Sequence, residues 1–183
     1  MDSRTGLPIV GMVGGGQLAR MTHQAAIPLG QSLRVLVNST DDAAALVAGD
    51  VRVGDHTDLA ALKAFAKGVD VLTFDHEHVP NEHVKALADG GVVVRPAAEA
   101  LRYAQDKHAM RARLGLLGLP VPRWSPVTTL AEVETFAGGQ WPVVGKATWG
   151  GYDGKGVWML SGAADAKRLI DESAGSTRGR SGT

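Results

Sequence analysis

Over its first hundred residues the chain alternates short β-branched runs with stretches of helical periodicity, and few architectures accept that alternation. It is the pattern of βαβ units, which predicts a mostly parallel sheet in a three-layer α/β domain. Strands are expected at 9–13, 34–38, 51–53, 69–74 and 92–95. Helices are expected at 16–29, at 58–66 and at 81–88; in the second, Leu59, Leu62 and Phe65 recur at helical spacing behind an Asp58 cap.

Past this alternation the pattern changes. A helix over 106–117 closes at Gly118, and Pro120 and Pro122 then stiffen an extended connector that marks a domain junction. A helix over 130–137 starts behind Thr129, with Glu132 placed as its capping-box partner, and leads into a strand that ends near Lys146. One amphipathic stretch follows at 163–172. Residues 173–183 contain no Val, Ile, Leu, Met or aromatic side chain, so they bury too little to offset the entropy of ordering and are expected to be disordered.

With 183 residues, the chain is long enough for one good core or for one domain and part of another. Nineteen basic and nineteen acidic residues cancel, which points away from nucleic acid and membrane surfaces and toward small-molecule ligands. The absence of cysteine excludes disulfides and thiolate chemistry and suits a reducing compartment. No charged-then-apolar leader and no apolar run of about eighteen residues occurs, so the expected location is the cytoplasm.

Three motifs carry chemistry. The first is Lys146 followed by Gly150, Gly151, Tyr152, Asp153, Gly154, Lys155 and Gly156, in which four glycines within seven positions expose backbone amides and two lysines supply charge for a polyphosphate. ATP suits it best, although a plain hairpin loop between two strands would share its glycines. The second is Gly14-Gly15-Gly16-Gln17-Leu18-Ala19-Arg20, directly after the first strand. It satisfies the dinucleotide fingerprint formally, yet Asn38 stands where an acidic residue would take the ribose hydroxyls, and Asp41 and Asp42 come late. Binding of a dinucleotide, of a phosphorylated small molecule, or a purely structural turn all remain open. The third is Phe74-Asp75-His76-Glu77-His78-Val79-Pro80, where an open sheet places its ligands. Adjacent residues on extended chain face opposite ways, which disfavours a metal site. Glu77 as an acceptor for a substrate amine or hydroxyl and a solvated loop are the two readings left.

Together with Gln105-Asp106-Lys107 and Gly118-Leu119-Pro120-Val121-Pro122, these motifs resemble the N-terminal part of the 5-(carboxyamino)imidazole ribonucleotide synthases, the ATP-grasp ATPase subunits of phosphoribosylaminoimidazole carboxylase. The resemblance covers residues 8–160. It implies a Rossmann-like pre-ATP-grasp domain at 1–100, a linker helix with the first part of an ATP-grasp domain at 101–162, and a divergent tail at 163–183. It also implies ATP-dependent carboxylation of 5-aminoimidazole ribonucleotide with bicarbonate, forming a carbon–nitrogen bond in purine biosynthesis. Lys107, Lys146, Gly150, Gly151, Tyr152, Asp153, Gly154, Lys155 and Gly156 then match ATP-contacting positions, and Gly15, Gly16, Gln17, Leu18 and Glu77 match positions around the aminoimidazole ribonucleotide.

The resemblance further implies Mg2+, with its ligands and the catalytic residues expected outside this chain, and a homodimer at full length. Trp149 departs from the small or polar residue common in relatives. The length implies a truncated product without synthase activity, with strands around 142–161 left unpaired and Trp141, Trp149 and Trp158 on show. A nicotinamide-dependent oxidoreductase domain and another purine-pathway ATP-grasp ligase are the alternatives.

Overall fold

A computed structural model describes residues 1–151 and 154–178. The chain divides into two compact units, Met1–Gln105 and Asp106–Thr183.

The first unit is built on four parallel strands, β1 (Ile9–Val13), β2 (Ser32–Val37), β3 (Asp50–Val53) and β4 (Val71–Phe74), in the order β3-β2-β1-β4. Side chains alternate across a strand, and β2 shows why both faces must be covered. Leu33, Val35 and Val37 pack with Met12, Ala19 and Ala44 on one side. Leu36 packs on the other with Leu62, Phe65, Leu72, Leu87 and Leu101. Leu62, Leu72 and Leu87 are completely shielded from water, which stabilises by about 2 kcal/mol for each side chain.

Helix α1 (Gln17–Ala26) covers the first face, and α2 (Leu59–Ala66), α3 (Asn81–Asp89) and α4 (Ala98–Gln105) contribute to the second core. Helix α1 stops short of the expected 29: a 3-10 turn at Ile27–Leu29 takes over, with Pro28 lacking an amide donor and Gly30 left-handed at its end. The strand expected at 92–95 shrinks to one parallel bridge, Leu72 to Val94, with Pro96 supplying no donor to continue it. Helix α4 falls where no element was expected; Leu101 and Gln105, four apart, are its buried positions.

The second unit holds α5 (Lys107–Leu116), α6 (Leu130–Ala137), the antiparallel pair β5 (Val143–Lys146) and β6 (Val157–Leu160), and α7 (Ala163–Arg178). Asp106 caps α5 through the Ala109 amide, and Thr129 and Glu132 form the expected capping box on α6. Val133, Leu160 and Ala166 form its small core, with Trp141, Leu169 and Ile170 packed around them. Trp141 is therefore half-buried, while Trp149 and Trp158 are exposed. The expectation of disorder from 173 onward fails as far as Arg178, because α7 continues to that residue. Once Ala166 anchors the helix, each added residue gains a backbone bond without needing an apolar side chain. Residues from 179 on lie outside the described set.

Candidate functional site

The strand order places the reversal of the sheet at β1, which has β2 on one side and β4 on the other. Loops leaving β1 and β4 at their C-terminal ends therefore lie side by side, where open α/β sheets bind ligands. They are also bonded together. Asp75, just past β4, accepts the Gly16 amide at 2.9 Å, and its own amide donates to Val13 at 3.1 Å. Gly14 has a φ of +117°, and a Cβ there would stand 1.5 Å from Asp75 Oδ1. Gly15 is also crowded, though less so, 2.6 Å from Val37 Cγ1 by the same measure.

The glycines of this turn thus make room for a carboxylate of the protein itself. Asp75 is shielded, with a side-chain exposure of 4%, and it occupies the Gly16 amide that a pyrophosphate would use. Asp42 accepts from the Asn38 and Ser39 amides, which commits the acid closest to a ribose-binding position. A dinucleotide fingerprint is present in sequence, but one of its amides, that of Gly16, is spent on the protein's own carboxylate. What stays open at the turn is Gln17 and Leu18, both exposed, beside the half-buried Glu77. Gly15 and Gly16 lie on the loop leaving β1, Gln17 and Leu18 open helix α1 directly after it, and Glu77 lies on the loop leaving β4.

Around Asp75 gathers a cluster to which the tertiary structure adds His56, a residue outside the 74–80 motif. His76 packs against His56, ring centroids 4.7 Å apart, and against His78 at 5.2 Å. His76 Nε2 is 3.8 Å from Asp75 Oδ1. Burial pushes the His76 imidazole below its ordinary range, and His56 and His78 push the same way against the opposing pull of Asp75 and Glu77. The group's unfolded pKa is about 6.5, so between that value and its lower folded one the unfolded chain holds more protons. Stability contributed by neutral His76 is complete above the unfolded value and falls as pH drops through the window. The melting temperature is expected to decline as pH falls below about 6.5, and less steeply in His76→Gln. Equal slopes in the two proteins would contradict this.

In the second unit, Lys146 ends β5 as an exposed cation and the glycine loop follows. Gly150, Gly151, Gly154 and Gly156 all have positive φ, a backbone conformation that glycine adopts at no steric cost. Tyr152 and Asp153 lie outside the described residues. Lys107 opens α5: its amide donates to Thr148 at 3.0 Å and its ammonium to Gly150 at 2.6 Å, tying that helix to the start of the loop. A cleft of about 890 Å³ adjoins them, lined among others by Lys107, Arg111, Arg123, Trp124, Lys146 and Trp158. No carboxylate belongs to its lining among the described residues. Arg111 and Arg123 carried no signal in the sequence, since a solvated helix or connector would show the same residues.

A parallel sheet with a glycine turn at its switch point, followed by a lysine-bearing antiparallel pair, is the plan of the pre-ATP-grasp class with the opening of a grasp unit. The chain belongs to the ribonucleotide synthetase preATP-grasp domain family, whose model matches residues 7–105. It is similar to the N5-carboxyaminoimidazole ribonucleotide synthase of Mycobacterium tuberculosis (strain ATCC 25618 / H37Rv), 58% identical over 166 residues, which is 90% of this chain and 39% of that protein.

Among solved structures, N5-carboxyaminoimidazole synthetase from Staphylococcus aureus complexed with ADP superposes with a TM-score of 0.81 at 25% identity, covering 90% of this chain and 44% of that one. The Aspergillus clavatus synthase in complex with ADP and 5-aminoimidazole ribonucleotide gives 0.77 at 25% identity, covering 90% and 43%. The chain thus spans well under half the length of the relatives it matches.

Proposed function

We propose that this chain provides the ribonucleotide-binding loops and the ATP-holding lysines of an ATP-grasp synthase that carboxylates 5-aminoimidazole ribonucleotide in purine biosynthesis. The carrying observation is the cleft of the second unit: Lys107, Arg111, Arg123 and Lys146 converge beside two tryptophans, without a carboxylate, in a chain whose total charge is zero. Cations suit a triphosphate, and the aromatic and apolar lining suits a base.

In this reading Lys107, Lys146, Lys155 and the loop from Gly150 to Gly156 hold ATP. Gly15, Gly16, Gln17, Leu18 and Glu77 surround the aminoimidazole ribonucleotide. The γ-phosphoryl group passes to a bicarbonate oxygen, giving ADP and carboxyphosphate. The exocyclic amine then attacks the carboxyl carbon, or CO2 released from it; the carbon–nitrogen bond forms, phosphate departs and the amine loses a proton. Phosphoryl transfer asks for positioning and charge neutralisation, which lysines and loop amides supply. Glu77 accepts a hydrogen bond from the amine and orients it.

In this reading Mg2+ would be held by carboxylates outside this chain and would neutralise phosphate charge; among the described residues no group of three or more His, Cys, Asp or Glu side chains is placed to hold a metal ion. No helix of the described residues is long and apolar enough to cross a membrane. The synthase of this reading works in the cytoplasm as a homodimer.

Separate calorimetric titrations with ATP, 5-aminoimidazole ribonucleotide and NADH test the reading. The first two are expected to bind and the third is not, since Asp75 takes the Gly16 amide and Asp42 is committed to the Asn38 and Ser39 amides. Binding of NADH in preference to both others would overturn it.

A further inference from the structure

Gln105 ends α4 with its side chain buried, a carboxamide only 8% exposed. Its Nε2 donates to the carbonyls of Glu77 and Val79, each at 2.8 Å, and its Oε1 accepts from Asn81 Nδ2 at 2.7 Å. Both amide protons and one acceptor position are therefore spent on five consecutive residues, 77–81. Other restraints act at 78–80: the His78 amide donates to His76 Nδ1 at 3.2 Å, the Pro80 carbonyl accepts from the His83 and Val84 amides just before α3, and Val79 is completely buried. The Glu77 carbonyl is held by Gln105. The Glu77 carboxylate meets no hydrogen-bond donor among the described residues, so its backbone is fixed while its acceptor oxygens stay available.

We infer that Gln105 is a positioning residue for Glu77: it fixes the carboxylate that meets the substrate amine, from a helix that takes no part in contacting substrate. The inference rests on the ribonucleotide role given to Glu77 above. A buried carboxamide suits the task because it offers two donors in a fixed plane, matched to carbonyls two residues apart on one strand-end loop. Leucine would fill the space and leave both carbonyls without a donor, which is the costly way to lose a hydrogen bond. Glutamate would keep an acceptor for Asn81 and set an oxygen against the two carbonyls.

Two measurements on the 183-residue chain test this. In the unliganded protein, Gln105→Leu is expected to raise amide exchange at Glu77, His78 and Val79 by about tenfold or more, with α1 unchanged. In calorimetric titration with 5-aminoimidazole ribonucleotide, Gln105→Leu weakens binding roughly tenfold, and Glu77→Gln weakens it at least as much. The double variant binds no more weakly than Glu77→Gln alone, because both changes act through one carboxylate. ATP affinity is unchanged throughout.

Additive losses in the double variant, or unaltered exchange at 77–79, overturn the inference. If the parent chain itself fails to bind the ribonucleotide, the functional reading fails and the exchange measurement alone decides the clamp. Gln105→Glu gives the same pattern and serves if the leucine variant does not fold.

Discussion

Replacing Gly14 with alanine is expected to destabilise the first unit by about 3–5 kcal/mol, a cost seen as a large fall in the urea midpoint and as lost ribonucleotide binding. Two effects combine. At a φ of +117° any L side chain is strained, and the new Cβ would stand 1.5 Å from Asp75 Oδ1, so the carboxylate must leave the turn. Leaving breaks its bond to the Gly16 amide and pulls on the strand end that donates to Val13. Gly91→Ala is the control, because Gly91 has a φ of +88° with nothing within 4 Å of a Cβ. It should cost only about 1 kcal/mol. Equal costs at the two positions would mean that Asp75 does not hold the turn.

Lys146→Ala is expected to weaken ATP binding by about ten- to a hundredfold, with ribonucleotide binding unaffected. The lysine ends β5, exposed, and it shares the lining of the cationic cleft with Lys107, Arg111 and Arg123. Because the remaining cations stay in place, the loss is partial. Raising the salt concentration should shrink the difference between variant and parent, since added ions screen an exposed charge. Calorimetric titration at two ionic strengths reads both effects, and an unchanged ATP affinity in the variant would remove the nucleotide role of this strand.

Much of the first unit was legible because burial on both faces leaves a mark on every strand. Leu33, Val35 and Val37 alternate with Leu36 on a run of six residues, and no other arrangement hides them all. Caps were equally readable: Asp58 and the Thr129–Glu132 pair do the local work their spacing implies. Helix α4 was not, since its eight residues carry only two buried positions and no side-chain cap to announce it. Residues 173–178 misled for a related reason, as helix propagation from a packed start requires no further apolar side chains.

At the candidate site the same divide appears. Glycine spacing marks Gly14 to Gly16 as a tight turn, but whether such a turn cradles a ligand phosphate or a side chain depends on what β4 delivers beside it. Pairing β4 with β1 brings Asp75 there and turns the Gly16 amide toward a carboxylate of the protein itself.

By itself the sequence determined the parallel sheet, the connector, the lysine and the glycine loop, because periodicity, capping and glycine content are local properties read a few residues at a time. Only the tertiary structure decided that Asp75 fills the first turn, that Gln105 clamps residues 28 and 26 positions earlier, and that four cations share one cleft. The physical reason is range. A hydrogen bond or a field between distant residues depends on which strands and helices become neighbours, and burial energy summed over the whole core makes that choice.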